Sequence, residues 1–396
     1  MARNVSDTRT TGGMPAGMMP SYIPMDLTPF QRKVILTGTL LGLLVSAVNQ
    51  TTVSTALPRI VGELGGLHLF SWVFTSFMLT STTVVPLAGK LSDIFGRKPF
   101  FLGGITILLI ASALAGTSGS IEELIVWRAV QGVGAGMLMG NAFAIIGDLF
   151  PPAERGKYQG LFTGVFGLAS VLGPTLGGYL TDEISWRAIF YMNIPIGVFA
   201  FVLLWRYYPR KVAGGAHRPI DYTGAALLGA TTVPLLLALV WAGGDFAWTS
   251  VEIISLFAFS AVAMVVFLWN ESRVPEPIIP LMLFQSRFFA VATFLSFITG
   301  MGLFGAVNYM PMFVQGVLGT SASHSGFVTS PMMLTMVVAS TGCGIIATRM
   351  GRYRPFIITG SALISIGMVM LTRLDVNSSS MAAVAAMVVI GMGIGS

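Results

Sequence analysis

Charge is what this sequence has least of. Asp, Glu, Lys and Arg make up 10% of its 396 residues against 54% hydrophobic, and mean hydropathy is +0.80. A soluble domain carries about a quarter charged residues. So few charges cannot cover a water-facing surface, so lipid must cover much of this one. A single cysteine, Cys343, excludes an internal disulfide and a cysteine-based metal cluster. The histidines, His68, His217 and His324, are scattered. No nucleophile–base pair or carboxylate dyad stands out, so neither catalysis, a cofactor nor a metal is expected. Residues 1–30 lack the apolar core of a cleavable signal peptide.

Long apolar runs are what the chain has instead. Runs able to cross a bilayer fall near 35–57, 69–89, 100–118, 124–147, 158–180, 189–207, 222–241, 251–269, 290–317, 326–347 and 355–372. A twelfth begins near 381 and is still apolar at Ser396. The net charge of +6 raises the question of nucleic acid, which its distribution answers. With a cytoplasmic N-terminus, Arg59, Arg187 and Arg373 fall outside and Arg128 within a span, leaving 18 of 22 Lys and Arg residues on the cytoplasmic side. The basic excess therefore sets orientation in a membrane and is not a nucleic-acid patch.

The runs also repeat. Gly89-Lys90-Leu91-Ser92-Asp93-Ile94-Phe95-Gly96-Arg97-Lys98 follows the second, and from Gly344 to Gly351-Arg352 the same glycine spacing returns 255 residues on. A loop recurring with its flanking helices indicates a duplicated bundle, the construction of secondary transporters. Spans 2 and 3 match spans 10 and 11, so the expected layout is six spans, two inserted, then six. The expected divisions are a disordered cytoplasmic tail (1–32), a six-span bundle (33–207), a cytoplasmic linker (208–221), two inserted spans (222–269), a cytoplasmic loop (270–289) and an incomplete C-terminal bundle (290–396). On that arithmetic the chain reads as truncated.

Several residues carry candidate roles. Gly89 and Gly96 allow a tight turn, while Asp93, Arg97 and Lys98 suit a latch whose carboxylate pairs with cations in one relative position of the halves. The alternative is that Arg97 and Lys98 only set orientation. In the second copy Thr348 stands in place of Asp93. Arg128 is a charge within a span, a costly placement. Either Glu122, Glu123 or headgroups hold it as it snorkels, or with Gln131 it lines a central cavity and reaches span 1. Span 5 carries Gly173, Pro174, Gly177 and Gly178, which read as a kinkable hinge or as close packing. Asn49, Gln50, Asn308 and Tyr309 are further candidates for the cavity wall, Tyr309 equally for packing. Gly132, Gly134 and Gly136 follow no strand and are not a dinucleotide fingerprint.

The stretches Gly89–Lys98, Arg128-Ala129-Val130-Gln131-Gly132, Gly173-Pro174-Thr175-Leu176-Gly177-Gly178 and Trp186-Arg187 through Phe190, Asn193 and Pro195, in order and at the expected spans, resemble the major facilitator superfamily. Its 14-span drug:proton antiporter branch is the most similar, over residues 33–396. The resemblance implies an all-α polytopic membrane protein with the major facilitator fold, two six-helix bundles with two inserted transmembrane helices. It also implies antiport through the span 5 motif, a cavity role for Arg128, and a cell (plasma or inner) membrane setting. Two departures stand out: Ile94 replaces a usual basic residue, and Asn49 replaces a common aspartate. Spans 1, 9 and 10 contain no acid, so an asparagine that cannot titrate leaves the proton site unassigned. The expected activity is export of hydrophobic drug-like molecules with protons as the coupling ion. The alternatives are a narrower carrier of a neutral or anionic metabolite and an inactive or non-transporting membrane protein.

Overall fold

The computed structural model describes residues 27–209, 221–243, 246–275, 277–318, 322–351, 354–376 and 378–396. These residues form helices and contain no strand. In the first half lie α1 (Pro29–Leu64), α2 (Phe70–Phe95), α3 (Arg97–Gly116), α4 (Ile121–Leu149), α5 (Pro152–Glu183), the single turn α6 (Ala188–Tyr191) and α7 (Asn193–Tyr207). Then come α8 (Tyr222–Trp241), α9 (Val251–Glu271), α10 (Arg287–Gly316), α11 (Ala322–Met350), α12 (Arg354–Thr372) and α13 (Ser380–Gly395). Among the described residues ten helices are long and apolar enough to cross a membrane, and Arg287–Leu303 and Ser380–Gly395 form shorter apolar stretches. The sequence suggested eleven full spans, and the difference lies in α10, which is one 30-residue helix. The linker at 210–220 and the tail at 1–26 lie outside the described residues.

Local chemistry sets the helix ends. Thr28 and Gln31 close a capping box at the start of α1, the Gln31 N–H donating to Thr28 Oγ1 at 3.2 Å and the Thr28 N–H to Gln31 Oε1 at 3.0 Å. Side chains of Ser120, Asp221, Ser250 and Ser379 cap α4, α8, α9 and α13 more simply, each accepting a first-turn backbone N–H. Gly96 ends α2 at φ 97°, and its counterpart in the repeat, Gly351, ends α11 at φ 62°. An L-residue side chain seldom tolerates that region, so both copies of the loop turn on a glycine for the same reason.

The duplication extends from loop to packing. In the first half α4 lies between α2 and α3, and in the second half α13 lies between α11 and α12. Glycines make each approach possible. A Cβ at Gly136 would stand 2.6 Å from the Ser81 carbonyl of α2, and Gly132 meets the carbonyl of Phe77. On the opposite side a Cβ at Gly134 would stand 2.7 Å from the Gly104 carbonyl and 2.8 Å from the Leu108 nitrogen of α3. The same three steps recur at Gly391, Gly393 and Gly395. Gly391 and Gly395 face the carbonyls of Met332 and Met336 on α11, and a Cβ at Gly393 would stand 2.8 Å from the Gly360 carbonyl and 2.7 Å from the Ile364 nitrogen of α12. A hydroxyl bridges the helices at one level in each copy: Thr80 donates to the Ala129 carbonyl at 2.8 Å, and Thr335 to the Val388 carbonyl at 3.3 Å. Small-xxx-small faces that bring backbones together are how helices associate where lipid removes the hydrophobic drive.

The halves meet where α5 packs on α11. Gly160, Gly164 and Gly167 face Ser340 and Thr341, Val337 and Met333 respectively, one stripe of α5 turned toward the second half. The inserted hairpin α8–α9 is tied by Ser260, whose hydroxyl donates to the Thr231 carbonyl at 2.7 Å, and packs beside α2 with the rings of Trp72 and Trp241 5.7 Å apart.

Candidate functional site

The polar residues of the first bundle converge on Arg128. The tight glycine packing of α4 against α2 and α3 draws four helices around this side chain, which is fully buried. Its Nε donates to the Val73 carbonyl of α2 at 3.1 Å, and its Nη1 donates to Asn49 Oδ1 of α1 and to Gln131 Oε1 at 2.9 Å. Gln131 passes the network on, its Nε2 donating to Ser112 Oγ of α3 at 2.8 Å. The guanidinium carbon lies 4.3 Å from the Phe77 ring centroid, a cation–π contact. Glu122 and Glu123 do not hold it. Glu123 instead accepts from the Gly119 N–H at 3.0 Å, so Arg128 points into the bundle and not toward the headgroups.

Among the described residues the equivalent place in the second half is apolar. The register that aligns Gly132 with Gly391 puts Met387 opposite Arg128 and Ile390 opposite Gln131, and both are buried in an apolar cluster. At these two positions the duplicated scaffold is polar in the first half and apolar in the second.

The other candidates divide. Asn49, Arg128 and Gln131 come together between helices. Gln50 is partly exposed beside them in sequence. Tyr309 is apart from this network: 72% exposed, it lines a shallow groove with Gly305, Phe313, Met368 and Leu371 between α10 and α12. The side chain of Asn308 lies outside the described residues. Among the described residues, then, the span 1 and span 4 candidates lie together and Tyr309 lies in a separate groove.

The charged loop braces the first bundle internally. Arg97 pairs with Asp93, four residues earlier, and with Asp148 at the end of α4 at 3.3 Å. It also donates to Ser92 Oγ at 2.5 Å and to the Gly89 carbonyl at 3.3 Å. Lys98 donates to the carbonyls of Trp205 and Tyr208, at 2.7 and 2.6 Å, where α7 ends and its dipole is negative. Among the described residues these bonds all fall within the first half, where a latch between halves was expected. Gly89 belongs to the seam instead, close to the Gly140 carbonyl of α4. Asp148 was not singled out from sequence, although an acid at a helix end with an arginine seven residues on is a readable signal. That arginine, Arg155, donates to the Gly147 carbonyl at 2.8 Å.

In span 5 Gly173 is buried against Thr51 of α1, whose hydroxyl donates to the Ala169 carbonyl at 3.0 Å. Gly177 is buried, Gly178 faces open space, and the side chain of Pro174 lies outside the described residues. The motif thus packs within the first bundle, and the preceding glycines make the seam between halves. At the far end a clasp that sequence reading left unnoticed joins α1 to the loop between α5 and α6. Glu63 accepts from Trp186 Nε1 at 2.8 Å and from Arg187, whose guanidinium lies 4.2 Å from the Trp186 ring. The bonds from Arg187 and then Trp186 hold the Glu63 carboxyl below its ordinary value of 4.5.

A doubled helical bundle with a glycine seam, charged loops bracing one end and a polar centre in one half defines a polytopic membrane transport protein. The chain belongs to the Major Facilitator Superfamily, whose family pattern matches residues 39–219. It is similar to the multidrug transporter protein MdtP of Bacillus subtilis, 41% identical over 365 residues that cover 92% of this chain and 67% of that protein. It is also similar to multidrug resistance protein 3 of the same species, 40% identical over 92% of this chain and 70% of that protein. An uncharacterized MFS-type transporter of Mycobacterium tuberculosis is 39% identical over 93% of this chain and 54% of its own length.

Proposed function

We propose that this protein exports hydrophobic, drug-like small molecules by alternating access, with protons moving the other way. The observation that carries the reading is a twofold scaffold with a polar centre at Arg128 where the second half holds buried Met387. The repeat supplies two bodies able to rock about the α5–α11 seam. The apolar position of Met387 argues that the fold does not need a charge at Arg128, so the charge serves transport. The names of the two Bacillus relatives support drug-like substrates. On this reading the protein has the 14-span layout with the domain divisions given above, in the cell membrane with its N-terminus cytoplasmic. Asn49, Gln50, Arg128 and Gln131 form one wall of the substrate path and Asn308 and Tyr309 the other, while Gly173, Pro174, Gly177 and Gly178 flex and Gly89, Asp93, Gly96, Arg97 and Lys98 latch one conformer. The test is accumulation of several lipophilic dyes in cells expressing the protein, with and without a proton uncoupler. Lower accumulation that the uncoupler restores is expected; unchanged accumulation across chemically diverse dyes would overturn the proposal.

A narrower carrier of anionic metabolites is favoured by one observation: among the described residues Arg128 pairs with no carboxylate. Competition by small carboxylates, and none by lipophilic cations, would select it.

A further inference from the structure

We propose that Arg128 and Asn49 together bind one small anionic acceptor, a halide or a carboxylate, inside the first bundle. Two donors carry the argument. Arg128 Nη2 and Asn49 Nδ2 are buried and have no hydrogen-bond partner. They belong to side chains already joined through Arg128 Nη1 and Asn49 Oδ1, so they flank one hydrogen bond. Both are donors, so only an acceptor satisfies them; a cation or a further donor does not.

Charge points the same way. Among the described residues no carboxylate pairs with Arg128, and its guanidinium faces neutral acceptors and the Phe77 ring. An unpaired charge is among the costliest things to bury. The equivalent place in the second half is filled by buried Met387, so packing alone does not explain an arginine there. An anion bonded to Nη2 and Nδ2 meets both donors and neutralises the charge through charge-assisted hydrogen bonds.

The inference does not depend on the direction of transport, and its test reads no export. The purified full chain is unfolded thermally at constant ionic strength while methanesulfonate is replaced by chloride, bromide or benzoate. A saturable rise in midpoint is expected, on the order of a few degrees at a hundredfold excess over half-saturation. A rise with chloride and bromide identifies a free halide; a rise with benzoate alone identifies a carboxylate, as on a substrate. Asn49→Asp supplies the carboxylate from within, so its midpoint is expected to lie higher in methanesulfonate and to ignore added anions. Arg128→Met, which copies the second half, is expected to ignore them too. No rise in the wild type with any of the three, or an equal rise in Asn49→Asp or Arg128→Met, would overturn the site.

Discussion

Gly134 is the position at which the duplicated packing can be tested most directly. A methyl group there would stand 2.7 Å from the Gly104 carbonyl and 2.8 Å from the Leu108 nitrogen. Both are backbone atoms, so neither can swing aside and α3 must move as a body. Overpacking of this kind costs about 1 to 3 kcal/mol. Alanine's better helix propensity, worth about 1 kcal/mol, offsets part of that. The net expectation for Gly134→Ala is a loss of about 1 to 2 kcal/mol, since the two blocking atoms place the strain toward the upper part of that range. Gly393→Ala in the second half meets backbone atoms at 2.7 and 2.8 Å and should lose about as much. Gly229→Ala on α8 meets nothing within 4 Å and should be neutral or slightly stabilising. The assay is thermal unfolding of the purified protein in one detergent, the three variants side by side with wild type. If Gly134→Ala matches Gly229→Ala, the close approach of α3 and α4 is wrong. If Gly134→Ala unfolds early while Gly393→Ala does not, the two halves do not share their packing.

Two further outcomes follow from the site geometry. Glu63 lies outside the spans with a lowered carboxyl pKa, so its clasp with Trp186 and Arg187 stabilises the fold fully above about pH 4.5 and weakens as pH falls through the lowered value. Glu63→Gln should flatten that acid decline in unfolding midpoint, and an unchanged slope would remove the clasp from the account. Gly173→Val directs a branched side chain at Thr51, so it should cut dye export at least about tenfold, about 1.4 kcal/mol or more, while membrane insertion and helix content stay normal; full export would show that α1 and α5 need not approach there.

How much was legible depended on what kind of interaction was at stake. The spans and the repeat were readable because lipid demands long apolar helices and because a glycine-bracketed loop keeps its spacing when copied. Arg128 was readable as an anomaly, since one charge in an apolar run is conspicuous. Its partners were not. Val73 contributes a carbonyl, which leaves no mark in the sequence, and Ser112 is an ordinary small residue on another helix. The surroundings of Arg97 were only half legible for the same reason: Asp93 is its neighbour by spacing, but Asp148 reaches it because α4 runs parallel beside α2 and ends at the same level. The second glycine triplet, Gly391 to Gly395, was present in the sequence and gained meaning only when its backbone contacts matched those of Gly132 to Gly136.

The sequence by itself determined that this chain lives in lipid, that it is helical, that it was duplicated, and where its odd charge lies, because hydropathy and spacing are properties of one strand of text. The tertiary structure decided which residues surround that charge and that buried Met387 and Ile390 take the equivalent places in the second copy. It also decided that the halves meet through the early glycines of α5. Hydrogen bonds and backbone approaches join residues tens of positions apart, and which of them meet is fixed only when the helices pack.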